Sequence, residues 1–175
     1  MYRGGDDAGN AVSSMGLPVN FCIVSGGQTG ADRAALDFAI RRGIDHGGWC
    51  PQGRLTEDGP LAEKYQLEET PSRGYPQRTK WNVRDSDATL VFTLKPKPTG
   101  GTALTLKIAA DHGKPHLHLC RKEYPIMEQA GQDLLAFIEK HKVKRLNIAG
   151  PRASQEPEIG QFVEAVLNCL LVPSS

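Results

Sequence analysis

The stretch FCIVSGGQTGADRAALDFAI, residues 21–40, decides the fold. It opens with a short apolar run, passes through a glycine-rich turn over 25–30, and then spaces alanines and a phenylalanine at helical intervals. Gly43 follows where a left-handed residue would end that helix. The stretch therefore predicts a strand, a glycine turn and a helix in direct succession.

The same arrangement recurs farther along the chain. Residues 88–93 are typical of a strand, 95–102 form a second glycine turn, and 103–112 follow as a helix. Other strands are predicted at 48–50, 116–120 and 145–149, and other helices at 126–141 and 159–170. Because alternating strands and helices form right-handed crossovers, we expect an α/β fold with a mostly parallel sheet of about five strands, covered on both faces.

The domain boundaries follow from composition. Residues 1–18 are rich in Gly, Asp, Asn and Ser without an apolar period, which predicts a flexible N-terminal arm. The remaining 19–175 are enough for one domain with one core. Within it, residues 51–82 are polar, with a periodic piece only near 61–65. So long an insert is typical of a functional loop or a lid.

Charge and composition narrow the classes of ligand and the compartment. The 21 basic and 20 acidic residues give a net charge of +1, so we expect no nucleic-acid binding, and any anion site must be built locally. The four cysteines are far apart and form no CxxC pair, which indicates reduced thiols. Apolar runs fall far short of the ~20 residues of a membrane helix, and no signal-peptide pattern is present. These features predict no membrane association and a cytoplasmic location.

The glycine turns are the candidate binding elements. A helix N-terminus offers unpaired N–H groups and partial positive charge, and glycine allows a phosphate to approach the backbone. In a parallel sheet such turns meet at the carboxyl edge. The candidate binding residues are Gly26, Gly27, Gln28, Thr29, Gly30, Thr99, Gly100, Gly101 and Thr102, with Arg152 after the predicted strand at 145–149.

The same residues also admit structural roles. The glycines serve a tight turn equally well, Arg152 is compatible with a solvated surface position, and Asp32 with a charge that complements the helix dipole. Arg78 and Lys80 are further charged candidates. A Walker loop is absent, because Ala31, Asp32 and Arg33 follow Gly30 and supply no lysine. A GxGxxG motif is absent as well, because the glycines are spaced as Gly26-Gly27 and then Gly30.

Neither a protein-built metal site nor a catalytic nucleophile is predicted. His116 and His118 alternate along a strand but lack a third ligand nearby. No Gly-x-Ser-x-Gly elbow or Cys-His pair appears. The residues alone therefore predict no catalytic residue and leave the ligand as a phosphorylated small molecule of unspecified identity.

Four blocks in order resemble the molybdenum cofactor carrier protein family: SGGQTGADRAALDFAI (25–40), RTKWNVRDSDATLVF (78–92), TGGTALTLKIA (99–109) and LNIAGPRASQEPEI (146–159). The resemblance covers about residues 20–172. It implies a Rossmann-like three-layer α/β/α fold, related to the LOG (lysine-decarboxylase-like) and DprA-like superfamily. It also implies molybdenum cofactor (molybdopterin) as the bound ligand, a non-catalytic carrier or storage role, and a homo-oligomer, dimer or tetramer, that serves molybdoenzymes.

A second function stays open beside the carrier. LOG-type nucleotide phosphoribohydrolases share the architecture and use a PGGxGTxxE motif, whereas this chain has TGGTALT at 99–105 and no following glutamate. A nucleotide-processing enzyme would instead need a carboxylate from another position to act on the ribose. The candidates for that role are Asp32, Glu57, Glu68 and Glu69.

Overall fold

The computed structural model describes residues 16–171. Its strands are β1 (Cys22–Val24), β2 (Asp45–Gly47), β3 (Trp49–Cys50), β4 (Leu55–Thr56), β5 (Gly59–Pro60), β6 (Glu68–Glu69), β7 (Ala88–Thr93), β8 (His116–Cys120) and β9 (Arg145–Ala149). Its helices are α1 (Ala31–Arg42), α2 (Tyr75–Arg84), α3 (Gly100–Asp111), α4 (Met127–His141) and α5 (Ile159–Cys169), with a 3₁₀ turn at Arg121–Glu123.

Five strands form one parallel sheet in the order β2-β1-β9-β7-β8. The last strand in the chain, β9, therefore lies in the middle of the sheet, between β1 and β7. Two separate two-stranded ladders, β3-β6 and β4-β5, lie outside it. The predicted Rossmann-like α/β fold with about five parallel strands is confirmed.

The handedness of the crossovers puts the helices on two faces. The chain moves from β1 to β2 toward one edge of the sheet and from β7 to β8 toward the other, so right-handed connections place α1 and α3 on opposite faces. Helices α1, α4 and α5 pack together and enclose the main apolar core, whereas α2 packs against α3. The face under α2 and α3 carries more buried polar side chains, including Arg78, Asn82, Thr102 and Thr105.

A strand is present within the predicted range 48–50, at Trp49–Cys50, but it is not part of the main sheet. The second strand of the main sheet is Asp45–Gly47, whose polar, partly exposed residues give no apolar signal at the edge of the sheet. Gly48 then adopts a φ of +131°, and the chain leaves the sheet so that Trp49–Cys50 pairs with Glu68–Glu69 instead. The helix predicted at 103–112 begins earlier, at Gly100, because the second glycine turn forms its first turn.

The insert over 51–82 is folded rather than irregular. Its last part is helix α2, which the sequence analysis did not predict. Its first part is held by Arg54, whose guanidinium donates hydrogen bonds to four backbone carbonyl oxygens, at 2.7 to 3.1 Å, of Leu61, Ala62, Tyr65 and Leu67. Leu61, Tyr65 and Leu67 are buried in a second small core with Leu36 and Cys50.

The ends of the chain bear on the predicted domain boundaries. Most of the arm predicted over 1–18 lies outside the described residues. Leu17, however, is 2% exposed and belongs to the main core, so the packed domain includes a residue that the sequence had assigned to the arm. Between residues 16 and 171 no helix combines the length and hydropathy that crossing a bilayer requires.

Candidate functional site

A cavity of about 300 Å³ opens at the carboxyl edge of the sheet, where the crossovers diverge on either side of β9. Its walls come from the turn after β1, the end of β9 with the turn that follows, the first turns of α3, and one side of α2. Ligands of doubly wound sheets bind at this position because helices on opposite faces leave a crevice there. The cavity is therefore the candidate site.

The ten candidate residues divide into two equal groups. Five line the cavity: Gly26, Gln28, Gly101, Thr102 and Arg152. The other five lie beside it in the same two turns but do not line it: Gly27, Thr29, Gly30, Thr99 and Gly100. The two glycine turns thus meet at one cavity, but each contributes only part of its motif.

The first turn, residues 25–30, is packed against the protein. A Cβ on Gly27 would lie 2.7 Å from Cδ2 of Leu61, and Gly27 has a φ of +77°. A Cβ on Gly30 would collide with the carbonyl oxygen of Pro151 and lie 2.7 Å from the nitrogen of Ala153. The first N–H of α1, on Ala31, donates to that same Pro151 oxygen at 3.2 Å. The start of α1 is therefore partly closed by the turn after β9.

Glu57 ties three segments together beside this turn. Its carboxylate accepts hydrogen bonds from the hydroxyls of Thr29 and Ser154 and from the Ser154 N–H at 3.1 Å. These bonds lower the pKa of Glu57. Thr29 Oγ1 also accepts the N–H of Ala153 at 3.1 Å. Thr29 and Glu57 thus join the first glycine turn and the turn after β9 to the β4-β5 hairpin.

The second turn is open. A Cβ on Gly100 or Gly101 would meet no atom within 4 Å, and Gly101 is exposed. Thr99, the N-cap residue of α3, makes no side-chain capping bond. The first N–H groups of a helix have no partner inside the helix, so the start of α3 presents donors toward the cavity. This end of the site has the properties of an anion site.

Gln28 lines the cavity, and its side-chain amide is fixed in orientation. Its side-chain oxygen accepts two backbone N–H groups, from Thr29 at 3.0 Å and from Glu57 at 2.9 Å. Only the oxygen of an amide can accept both, so the amide nitrogen Nε2 must occupy the other position. Gln28 is 5% exposed, and none of residues 16–171 provides a hydrogen-bond partner for Nε2. A buried donor of this kind is normally paired.

Arg78 and Asp32 form a buried pair in the same wall. Nη1 of Arg78 donates to the carbonyl oxygen of Gly26 at 2.6 Å and lies 3.6 Å from Oδ2 of Asp32. That carboxylate oxygen also accepts the backbone N–H of Gln28 at 3.2 Å. Burial raises the pKa of Asp32, and Arg78 opposes the rise. Gly26 is required here because a Cβ would fall within 2.9 Å of the Arg78 side chain.

Tyr75 brings the two arginines of the cavity together. The guanidinium carbons of Arg78 and Arg152 lie 5.2 and 5.3 Å from the centre of its ring, a cation–π distance for both. Arg152 also lies 4.0 Å from the Glu57 carboxylate. The charged residues that line the cavity are thus two arginines and one aspartate, Asp32, so its walls favour an anion.

The sequence analysis missed several residues of the cavity. Tyr75 and Asn82 belong to α2, whose start carries a signal that was overlooked, a proline at 76 in the first turn after Gly74. Asn147 is 3% exposed and lies between two buried apolar residues, Leu146 and Ile148, of strand β9. A buried amide in such a strand is itself a sign of a nearby polar site.

Most of the other residues considered from the sequence do not line the cavity. Of the four carboxylates considered for catalysis, Asp32 lines it, whereas Glu57, Glu68 and Glu69 do not. His118 lies 2.7 Å from the Thr93 hydroxyl, and burial lowers its pKa. Within residues 16–171 no three His, Cys, Asp or Glu side chains are grouped as a metal site requires.

A protein of known structure shares this fold and nearly half of the aligned sequence. The chain is 46% identical to the crystal structure of a protein named "Putative molybdenum carrier protein" from Syntrophus aciditrophicus SB, with a TM-score of 0.84 over 86% of this chain and 94% of that chain. None of the curated proteins matches it. The family model described as "Circularly permutated YpsA SLOG family" matches residues 23–171.

The permutation accounts for the position of β9. If β9 is counted first, the order of the main sheet becomes 3-2-1-4-5, that of a doubly wound dinucleotide-binding fold. The resemblance found in the sequence is confirmed by the family model and the solved structure together. The chain belongs to the circularly permutated YpsA SLOG family.

Proposed function

We propose that this chain is a non-catalytic binding protein for a phosphorylated small molecule, and that this ligand is the molybdenum cofactor. One observation carries the proposal. Two arginines and an open helix N-terminus line the same cavity, opposed there by a single carboxylate. Such walls suit a ligand that brings both negative charge and acceptor oxygens.

The phosphate of the ligand would bind at the open end of the cavity. Gly101 and Thr102 offer N–H groups and a hydroxyl from the first turn of α3, and Arg152 offers a guanidinium from the turn after β9. Side-chain exposure of Arg152 is 34%, so an incoming phosphate can reach it.

The identity of the ligand is supported by resemblance. Four sequence blocks resemble the molybdenum cofactor carrier family, and a protein of 46% identity is named as a molybdenum carrier. The residues present fit the phosphate-bearing part of that cofactor, since Gly101, Thr102 and Arg152 would hold it. As a carrier or storage protein, the chain would hold the intact cofactor for delivery to molybdoenzymes.

A second candidate, a nucleotide-processing enzyme, is favoured by the position of Asp32. It lines the cavity, it is 6% exposed, and burial raises its pKa, all of which are features of carboxylates that exchange protons in active sites. Arg78 and the Gln28 N–H nevertheless engage it, as they would a structural carboxylate. The carrier is preferred because no second carboxylate and no histidine, cysteine or lysine accompanies Asp32 among the lining residues.

The test is the melting temperature of the purified chain with molybdenum cofactor, molybdate, and a panel of mononucleotides. A ligand at 100 times its Kd adds about 2.7 kcal/mol to the free energy of unfolding. We expect a shift with the cofactor and none with molybdate. A shift with nucleotides alone, together with release of free base that is lost in Asp32→Asn, would establish the enzyme. The absence of any shift at tens of micromolar ligand would overturn both.

We also propose that the chain assembles into a homo-oligomer, a dimer or a tetramer, as the family resemblance implies. Sedimentation velocity at several protein concentrations tests this directly. A species of twice or four times 19.0 kDa is expected. A monomer at every concentration, with and without ligand, would refute it.

A further inference from the structure

We infer that Tyr75 is a positioning residue: its ring holds the Arg152 guanidinium beside that of Arg78, so that the two arginines bind one anionic ligand as a pair. The inference rests on the proposed function, since it concerns the same cavity. It adds Arg78 to the residues that bind the ligand. It also specifies the part of the ligand that they bind, an anion with several oxygens such as a phosphate ester or a diphosphate.

The Arg78 guanidinium is fixed by the protein at one of its nitrogens. Nη1 donates to the Gly26 carbonyl oxygen at 2.6 Å and lies 3.6 Å from the Asp32 carboxylate. Nε and Nη2 have no acceptor within residues 16–171, yet neither is sealed from solvent as Nε2 of Gln28 is. Arg78 lines the cavity, and its side chain is 10% exposed, so a ligand there can reach these donors.

Arg152 is not fixed by hydrogen bonds of its guanidinium. Within residues 16–171 that group donates to no acceptor, and the side chain is 34% exposed. The Glu57 carboxylate oxygen lies 4.0 Å away, which is beyond hydrogen-bond distance. The other contact is with the Tyr75 ring, whose centre lies 5.3 Å from the guanidinium carbon. The position of Arg152 in the cavity therefore depends on that ring.

The Tyr75 ring suits this role because an aromatic ring attracts a guanidinium without needing to accept its hydrogen bonds. The ring centre lies 5.2 Å from the guanidinium carbon of Arg78, close to its distance from that of Arg152. The planar guanidinium keeps its N–H groups for a phosphate or carboxylate. Two cations near one ring repel each other, and an anion bound to both removes that repulsion. The pair is thus arranged before the ligand arrives, so binding orders less of the Arg152 side chain.

The experiment measures the affinity of inorganic pyrophosphate by titration calorimetry. This probe has the negative charge without a ring system, so it tests the arginine pair apart from the identity of the full ligand. Tyr75→Leu should weaken binding about tenfold, because Arg152 is no longer held beside Arg78. Tyr75→Phe keeps the ring and should stay within about twofold of the wild type. Equal losses in the two variants would overturn the inference.

A double-mutant cycle with Arg152→Gln separates positioning from a merely structural role. Arg152→Gln alone should weaken pyrophosphate binding about tenfold. In that background Tyr75→Leu should change the affinity by no more than about twofold, since Arg78 keeps its contacts with Gly26 and Asp32. A structural role of Tyr75 would give the same loss in both backgrounds, and that result would overturn the inference.

Trp81→Leu is the matched control on the same helix. The Trp81 ring contacts Arg84, with 4.7 Å from the guanidinium carbon to the ring centre, but Trp81 does not line the cavity. This variant should leave the affinity for pyrophosphate within about twofold of the wild type. A loss as large as that of Tyr75→Leu would assign the effect to helix α2 as a whole and overturn the role of Tyr75. Circular dichroism establishes that each variant is folded.

The outcomes separate this inference from the proposed function. If pyrophosphate binding responds to the variants as expected and molybdenum cofactor does not bind, the arginine pair stands and the proposed ligand is wrong. If the cofactor binds and Tyr75→Leu changes neither affinity, the inference is wrong and the carrier stands. If pyrophosphate does not bind the wild type, the same variants are titrated with the cofactor and the same losses decide. Failure of both probes to bind the wild type would overturn both proposals.

Discussion

The two glycine turns have similar sequences but different structural roles. In the turn after β1, Gly27 and Gly30 have φ values of +77° and +79° and face protein atoms at distances that no Cβ tolerates. In the turn that starts α3, a Cβ on Gly100 or Gly101 would meet open space. The first turn uses glycine to let parts of the protein approach each other, whereas the second leaves room for something else.

This difference separates packing glycines from binding glycines. A motif that contains both kinds, such as 25–30, cannot be transferred whole to a ligand. Of the first turn, only Gly26 and Gln28 line the cavity. The absence of a Cβ at Gly26 makes room for the Arg78 guanidinium, which lies against it. Substitutions of the packed glycines in the first turn should therefore lower stability, whereas substitutions in the second turn should change ligand binding.

Gly30→Ala should have the largest effect. The new Cβ would meet the Pro151 carbonyl oxygen and the backbone of the Ala153 residue, and φ at position 30 is +79°. We expect the free energy of unfolding to fall by about 3 kcal/mol or more, from overpacking plus backbone strain. Urea denaturation measures it.

Gly43→Ala is the matched control for Gly30→Ala. Gly43 has a φ of +64°, but a Cβ there would meet nothing within 4 Å. This variant therefore measures only the cost of placing a Cβ on a left-handed backbone, a loss of about 1 kcal/mol in the free energy of unfolding. Equal losses at the two positions would contradict the packed description of the first turn.

Arg54→Lys should destabilise the segment over 61–67, which packs on the first turn. The four carbonyl oxygens that Arg54 binds belong to the segment whose Leu61 and Leu67 pack on Gly27. A lysine ammonium is a point charge with three donors and cannot reproduce the planar fork. We expect a loss of about 2 kcal/mol in the free energy of unfolding. Arg121→Lys, at an exposed arginine with one carbonyl bond, should change it by less than about 0.5 kcal/mol.

Gly101→Asp should reduce ligand affinity without a loss of stability. A carboxylate in the first turn of α3 complements the helix dipole, which favours folding by about 0.3–1 kcal/mol. The same charge occupies the proposed phosphate position and should lower the affinity for the phosphorylated ligand at least about tenfold, which corresponds to about 1.4 kcal/mol. Calorimetry and thermal melts measure the two quantities on one preparation. Gly101→Ala should keep the affinity within about threefold, and a comparable loss there would point to backbone geometry instead.

The sequence predicted those elements whose signal is local. Strand β7 is a largely apolar run, β8 and β9 carry apolar residues at alternating positions, and the helices α1, α4 and α5 carry apolar faces against the core. The fold class followed from their alternation. Strand β2 was misplaced because an edge strand with Asp45 and His46 looks like a loop, and its place is set by pairing with β1.

The site was predictable only in outline. That two glycine turns meet at one edge follows from parallel topology, but which glycines pack and which bind depends on contacts with distant segments. The space beside Gly27 is occupied by Leu61, which is distant in sequence, and the space beside Gly30 by the turn after β9. Tyr75 and Arg78 reach the cavity because α2 packs on α3, which no local pattern encodes. The unpaired amide of Gln28 likewise depends on the Glu57 N–H.

The smallest effect tests an exposed contact that holds the hairpin to the first turn. Arg33 donates to both carboxylate oxygens of Asp58 at 3.2 Å and also to the Gly27 carbonyl oxygen. These bonds lower the pKa of Asp58 to about 2. Since the folded pKa lies below the unfolded value near 3.9, the contribution is present above pH 4 and is lost as the pH falls toward 2.

Asp58→Asn should therefore lower the free energy of unfolding at pH 7 by less than about 1 kcal/mol, because the carboxylate is 54% exposed and solvent screens the pair. The difference between wild type and variant, measured by urea denaturation from pH 7 to pH 2, should fall steeply between pH 4 and pH 2. Other carboxylates titrate equally in both proteins, so they cancel in that difference. A difference that stays constant with pH would mean that the hydrogen bonds from Thr56 and Arg33, and not the charge of Asp58, hold the hairpin against the packed turn.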